Sequence, residues 1–212
     1  MRTRIKFCGC TSVRDASLGV DTGADAIGVI FAQSSPRRVS METARDVAEA
    51  MPAYVQLVAV FVEPTATLVD EALKLGFVPQ FSGRELWQTT EAFAAGPYVK
   101  VYHVPPGAPP SATEFEAFAR GYHRATWMFE PKVSGMDGGT GRTFAWDSAR
   151  QLAGNRRIII SGGLTPDNVA DCIRAVRPYG VDVRSGIESN GVKDPAKMRA
   201  FVRAVKEADA QT

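Results

Sequence analysis

The residues best suited to chemistry lie where apolar, strand-like runs end. In "KFCGCTS", Cys8 follows the run Arg4–Phe7 directly, with a turn and a helix cap beyond it. A thiol at such a place can be a buried structural group, a metal ligand or a catalytic base. In "WMFEPK", Glu130 ends a later run. A carboxylic acid set apart from a thiol suits general acid–base work on two atoms of one substrate.

Two further runs end in Ser-Gly pairs, in "IIISGGLTPDN" and "VDVRSGIES". Backbone N–H groups and helix N-termini in such loops can bind a phosphate without bulky side chains. The stretch "AQSSPRRVS" carries two arginines that could hold an anion or could simply be a solvated basic loop. The cluster Gly138–Gly141 is either a loop that closes over a substrate or a flexible connection.

Apolar, β-branched runs alternate with amphipathic stretches, and we count eight of each. The predicted strands are Arg4–Phe7, Ala26–Phe31, Gln56–Val62, Phe77–Phe81, Tyr98–His103, Thr126–Glu130, Arg157–Ile160 and Val181–Arg184. The predicted helices are Val13–Gly23, Met41–Ala50, Thr65–Leu75, Arg84–Ala95, Ala112–Gly121, Ala145–Leu152, Pro166–Ala175 and Asp194–Ala208. Strands that are apolar throughout indicate a parallel sheet covered by helices.

Eight strand–helix units predict an α/β protein with a single (β/α)8 TIM barrel, one domain over residues 1–212. The alternative is a doubly wound open sheet, but no G-x-G-x-x-G follows the first strand. In a barrel, catalytic groups lie at the C-terminal ends of the strands, and phosphate is often held after strands seven and eight. Cys8 is therefore expected on the functional face, and the two Ser-Gly loops are expected at a phosphate.

The composition and the net charge argue against several classes of function. The net charge of +2 gives no reason to expect nucleic acid, and no apolar run reaches the length of a membrane span. Three cysteines and the missing signal core favour the cytoplasm. The two histidines are far from Cys8 and Cys10, so we expect no metal. The expected chemistry, proton transfer on a small phosphorylated substrate, needs no cofactor. The oligomeric state is not readable from the sequence.

Motifs from nearly the whole chain resemble the phosphoribosylanthranilate isomerase family of tryptophan biosynthesis. They are "KFCGCTSVRDA", "GADAIGVIFAQSSPRRVS", "VAVFVEP", "GGTGRTFAWD", "SGGLTPDNV" and "VDVRSGIESNGVKD", and they occur in the family's order. The resemblance implies a (β/α)8 barrel that catalyses an Amadori rearrangement. A general acid opens the furanose of N-(5-phosphoribosyl)anthranilate, and a general base then removes the C2′ proton of the Schiff base.

The resemblance also implies roles for individual residues. Cys8 matches the family's base, and Glu130 stands where the family has its acid, an aspartate. Arg37 matches the arginine that pairs with the anthranilate carboxylate. The remaining family positions are implied to bind substrate, and the phosphate grip includes the glycines and serine among them: Gln80, Gly162, Gly163, Asp182, Ser185 and Gly186.

Three positions depart from the family pattern. Glu130 replaces aspartate, Ser82 replaces a histidine, and Arg184 replaces a serine. One added methylene at the acid moves its carboxyl by about an ångström, which can cost ~100-fold in rate. Two alternatives therefore stay open: a paralogue that isomerises another phosphoribosyl amine or sugar phosphate, and a non-catalytic barrel that binds a phosphorylated ligand.

Overall fold

The computed structural model describes residues 2–105, 111–131 and 146–211. Eight parallel strands close into a barrel in sequence order. They are β1 (Arg4–Cys8), β2 (Ala26–Ile30), β3 (Gln56–Phe61), β4 (Val78–Phe81), β5 (Tyr98–Val104), β6 (Ala125–Pro131), β7 (Ile158–Ile160) and β8 (Gly180–Val183). The predicted (β/α)8 barrel is confirmed, and β1 closes it by pairing with β8.

One helix follows each barrel strand. The helices are α1 (Val13–Thr22), α2 (Met41–Ala50), α3 (Ala66–Lys74), α4 (Trp87–Phe93), α5 (Ala112–Ala119), α6 (Trp146–Ala153), α7 (Val169–Val176) and α8 (Pro195–Ala210). After β8 the chain forms a 3-10 helix, Ser185–Ile187, and a small antiparallel pair, β9 (Glu188–Ser189) and β10 (Val192–Lys193). These short elements were not predicted. Within the described residues, no helix is long and apolar enough to span a bilayer.

Local sequence explains several helix ends. Ser12 caps α1 through the N–H of Asp15, and Gly23 ends that helix in the left-handed region at φ +107°. Asp194 caps α8, with Pro195 in the first turn. These ends agree with the sequence patterns to within a residue or two.

Two predicted helices begin later than expected, and side-chain hydrogen bonds explain both. Asn168 accepts from the Thr165 N–H at 2.8 Å and donates to the Gly163 carbonyl at 2.9 Å, which keeps these residues in a turn before α7. Glu85 accepts from the Gly83 N–H at 3.2 Å and pairs with Lys100 at 2.7 Å. The segment predicted to open α4 is therefore a loop tied to β5.

The apolar core lies in two places. Most of it fills the layer between the strands and the helices, including Phe7, Phe61, Phe129 and Phe201. Inside the barrel, a small cluster around Cys8 and Val60 and another around Val101 and Met128 fill the centre. Polar residues on the inner face of the barrel are also buried: Lys6, Gln80, Ser161 and Asp182. An apolar barrel interior would need none of these, so they indicate a functional site.

Candidate active site

A cavity of about 410 Å³ opens at the C-terminal ends of the barrel strands. Eight of the nine predicted site residues line it: Cys8, Arg37, Gln80, Glu130, Gly162, Gly163, Asp182 and Ser185. Gly186 lies one residue beyond this lining. The structure thus brings together residues that are spread over the whole chain, at the face where the barrel argument placed them.

Cys8 is the last residue of β1 rather than the first residue after it, and its side chain is 5% exposed. Burial raises the pKa of the thiol, while the nearby Lys6 and Lys193 ammonium groups act to lower it. Cys10 is fully buried in the layer between strands and helices, and burial raises its pKa to about 12. Of the two thiols in "CGC", Cys8 alone faces the cavity.

Asp182 forms a buried ion pair with Lys6, a partner that no sequence pattern indicated. Its carboxylate accepts from Lys6 Nζ at 2.6 Å and from Ser161 Oγ at 3.0 Å. The Lys6 and Asp182 side chains are each 6% exposed. Lys6 pairs with Asp182 in the β1–β8 register, so barrel closure itself brings the two charges together.

Arg37 is held in place by Glu188, a residue with no predicted role. Its Nε and Nη2 donate to the two carboxylate oxygens of Glu188 at 3.0 and 2.5 Å. Lys193 Nζ donates to Glu188 at 2.9 Å and to the carbonyl of Cys8 at 2.6 Å. Glu188 and Lys193 lie on the short β9–β10 pair, which therefore links Arg37 to the end of β1. Both residues stand in the motif "VDVRSGIESNGVKD", which was the only signal for them.

The loops after β7 and β8 approach each other through their glycines. Gly162 and Gly163 both have positive φ, at +86° and +68°. A Cβ on Gly162 would lie 2.3 Å from the Pro131 ring and 3.3 Å from Cγ of Glu130. A Cβ on Gly186 would lie 1.9 Å from the carbonyl oxygen of Leu164. No residue with a Cβ fits at Gly162 or Gly186, so the two loops meet backbone to backbone at this wall of the cavity.

Glu130 is the penultimate residue of β6, and it lines the cavity from a different sector of the barrel than Cys8. Strands β7 and β8 separate the two. A thiol and a carboxylic acid therefore face one cavity from two directions, which is the arrangement needed to work on different atoms of a bound molecule.

The two other departures from the family pattern also line the cavity. Ser82 accepts from Gln80 Nε2 at 3.2 Å, and the Ser82 carbonyl lies 2.7 Å from Nε2 of His103. Gln80 Oε1 is buried and has no hydrogen-bond partner among the described residues. The side chains of Arg184 and Arg37 both lie against Gly9. A Cβ on Gly9 would be 3.2 Å from Cδ of Arg184 and 3.0 Å from Cδ of Arg37. The glycine cluster Gly138–Gly141 lies outside the described residues.

The closed barrel, with a thiol, a carboxylic acid and a glycine-lined wall around a cavity at its C-terminal mouth, has the architecture of a (β/α)8-barrel enzyme. Residues 5–204 match the family model described as N-(5′-phosphoribosyl)anthranilate (PRA) isomerase. The chain belongs to this family.

Individual relatives cover nearly the whole chain. The N-(5′-phosphoribosyl)anthranilate isomerase of Pelobacter propionicus is 39% identical over 99% of this chain and 98% of its own length. The crystal structure of the Thermotoga maritima phosphoribosyl anthranilate isomerase superposes with a TM-score of 0.84 at 31% identity, over 97% of this chain and 99% of that one. A phosphoribosyl anthranilate isomerase solved in complex with reduced 1-(o-carboxyphenylamino)-1-deoxyribulose 5-phosphate gives 0.79 at 30% identity, with the same coverage.

Proposed function

We propose that this protein isomerises N-(5′-phosphoribosyl)anthranilate to 1-(2-carboxyphenylamino)-1-deoxyribulose 5-phosphate, and that Cys8 and Glu130 are the acid–base pair. The observation that carries the residue assignment is that both side chains line one cavity together with Arg37 and the glycine wall. Membership of the family supports the reaction. Nothing in the proposed chemistry calls for a cofactor.

The proposed reaction proceeds in three steps. Glu130 protonates the furanose ring oxygen, the C1′–O bond breaks, and the nitrogen lone pair forms the protonated Schiff base. The Cys8 thiolate then takes the C2′ proton, the C–H electron pair becomes the C1′=C2′ bond, and the C=N electron pair returns to nitrogen. The enolamine gains a proton at C1′ and loses one from the C2′ hydroxyl, which gives the ketone product.

The cavity offers a partner for each end of the substrate. We assign the phosphate to the wall formed by Gly162, Gly163 and Ser185, with Gly186 directly behind it, where glycines allow close approach to the backbone. We assign the anthranilate carboxylate to Arg37, whose Nε and Nη2 bind Glu188 while Nη1 is not used in that pair and can donate to a substrate. Gln80 Oε1, which has no partner among the described residues, is placed to accept from a substrate hydroxyl or N–H.

The proposal is tested by a turnover assay with substrate made in situ from anthranilate and phosphoribosyl pyrophosphate. Turnover is followed as the loss of anthranilate-ester fluorescence. We expect Cys8→Ala and Glu130→Ala each to lower kcat by about 100-fold or more, the contribution of one positioned acid or base. Cys172→Ala is the matched control, because Cys172 is buried in α7 away from the cavity. Wild-type protein that fails to turn the substrate over contradicts the reaction. Retained activity in either active-site variant contradicts that residue's role.

A further inference from the structure

Lys6 and Cys8 lie two residues apart on β1, so both side chains face the inside of the barrel. The Lys6 ammonium is 6% exposed and donates to Asp182 at 2.6 Å. The Cys8 side chain is its neighbour, and the two groups share the space beside Gly28. A buried lysine is costly unless its charge is paired, and here Asp182 pairs the ammonium beside the thiol.

Space for this arrangement comes from Gly28 on the neighbouring strand, which pairs with Cys8 in the β1–β2 register. A Cβ on Gly28 would lie 2.9 Å from Lys6 Cε and 3.1 Å from both Lys6 Nζ and Cys8 Sγ. Any larger residue at position 28 would therefore displace the ammonium, the sulfur or both. The missing side chain leaves room for both groups next to each other.

Other charged groups surround Cys8, and each of them has another partner or lies elsewhere in the cavity. Lys193 donates to the Cys8 carbonyl and is paired with Glu188, which also binds Arg37. Arg184 lies with Arg37 against Gly9, Asp182 bonds Lys6, and Glu130 lines the same cavity. The inner faces of β2 and β3 next to Cys8 are apolar, with Ile30 and Val60. Among these cations, Lys6 is the one whose ammonium shares the space beside Gly28 with the sulfur.

We propose that Lys6 is a positioning residue for Cys8: its ammonium stabilises the thiolate, and Asp182 holds the ammonium against the sulfur. Lys6 keeps its proton throughout, and the thiolate accepts the C2′ proton from the substrate. The stabilisation of the thiolate rests on the placement of the ammonium and the sulfur beside Gly28, and it does not depend on the proposed function. Its catalytic consequence rests on the proposed function. A cation close to the sulfur favours the deprotonated thiol and so opposes the effect of burial.

The thiolate can be followed without substrate, by its absorbance at 240 nm during a pH titration. Each protein is paired with its own Cys8→Ser version as the blank, so that Cys10, Cys172 and the tyrosines cancel. We expect Lys6→Met to raise the midpoint of the Cys8 titration by about one pH unit or more, or ~10-fold less thiolate at a given pH below it. Lys6→Arg, which keeps the charge, is expected to shift it less.

Lys100→Met is the matched control, since Lys100 is a buried lysine paired with a carboxylate, Glu85, away from the cavity. We expect it to leave the Cys8 midpoint unchanged. If Lys6→Met does not fold, Lys6→Met/Asp182→Asn removes the pair as a whole and is compared with Asp182→Asn alone. The double variant is expected to have the higher midpoint.

A midpoint that stays where it was in Lys6→Met, or equal midpoints in the two Asp182→Asn backgrounds, overturns the proposal. In the active protein, the limb of the kcat/KM profile that reports the Cys8 ionisation is expected to move with the titration midpoint. A shifted midpoint in a protein that does not isomerise phosphoribosylanthranilate supports the Lys6 contact while contradicting the function. The two failures are therefore distinguishable.

Discussion

At the scale of single residues, the wall of the cavity after β7 and β8 depends on the absence of side chains. Gly186 follows the 3-10 helix residue Ser185, and its Cα faces the Leu164 carbonyl in the loop after β7. The two loops are therefore in backbone contact at this point. A change at Gly186 has to move one of them, even though Gly186 itself does not line the cavity.

Gly186→Ala tests this wall as a phosphate site. A Cβ 1.9 Å from the Leu164 oxygen forces the loops apart, and displacements of about 1 Å at a binding site cost up to ~100-fold. We expect competitive inhibition by inorganic phosphate to weaken by about 10-fold or more. Gly96→Ala is the control, because a Cβ there meets nothing nearer than 3.9 Å. Unchanged phosphate inhibition in Gly186→Ala would place the phosphate elsewhere.

At the scale of elements, α4 is fastened to two strands through one carboxylate. Glu91 accepts from Tyr98 Oη at 2.7 Å and from Arg124 Nε at 2.8 Å, at the beginnings of β5 and β6. Partial burial acts to raise the pKa of Glu91, but the hydrogen bonds from Tyr98 and Arg124 outweigh it and lower the pKa to about 2. The helix therefore keeps a charged anchor in moderately acidic solution.

This anchor predicts an acid-side loss of stability. Because the folded-state pKa of Glu91 lies below its unfolded-state value, the unfolded chain binds more protons between the two values. The stabilisation is complete above the ordinary glutamate pKa of about 4.3 and disappears as the pH falls towards about 2. We expect urea unfolding to show a flatter pH dependence in this window for Glu91→Gln than for wild type. Glu71→Gln on α3, an exposed glutamate, should retain the wild-type slope; parallel curves for all three proteins contradict the anchor.

The elements were largely predictable from the sequence because each strand is a continuous apolar run and each helix an amphipathic one. The late start of α7 was not predictable, because it depends on hydrogen bonds of the Asn168 side chain to Thr165 and Gly163 that hold these residues in a turn. In the site, Cys8, Glu130 and the glycines stand at strand ends that local pattern can locate. The Lys6–Asp182 and Lys193–Cys8 contacts join residues 176 and 185 positions apart. Only the closed barrel creates those pairs, so no local pattern could indicate them.

At the scale of the whole molecule, the two faces of the barrel have separate tasks. The cavity occupies the C-terminal face, while at the opposite face Thr3, just before β1, is hydrogen-bonded to Asp209 of α8. The helix α8 buries Met198, Phe201 and Val205, and Phe201 meets Phe7 of β1 edge-on at 6.2 Å. Helix α8 is thereby packed against β1. Stability set at this face can change without changing the catalytic groups.

Asp209 tests that separation. Its carboxylate accepts from the Thr3 N–H at 2.7 Å and from Thr3 Oγ1 at 2.6 Å, which ties the end of α8 to the residue before β1. We expect Asp209→Ala to lower the free energy of unfolding by about 1–3 kcal/mol, since it leaves the 4%-exposed Thr3 without this acceptor. For a domain of this size, that is a fall in Tm of about 2–4 °C per kcal/mol.

The measurement pairs thermal unfolding with kcat. Glu207→Ala removes the same charge from an exposed position on the same helix, and we expect its Tm to stay near that of the wild type. Both variants should keep wild-type kcat below their unfolding transitions, because neither residue contacts the cavity. A loss of kcat in folded Asp209→Ala would mean that the junction of the chain ends transmits strain along β1 to Cys8. Stability and catalysis would then be coupled through the strand that carries Thr3, Lys6 and Cys8 in succession.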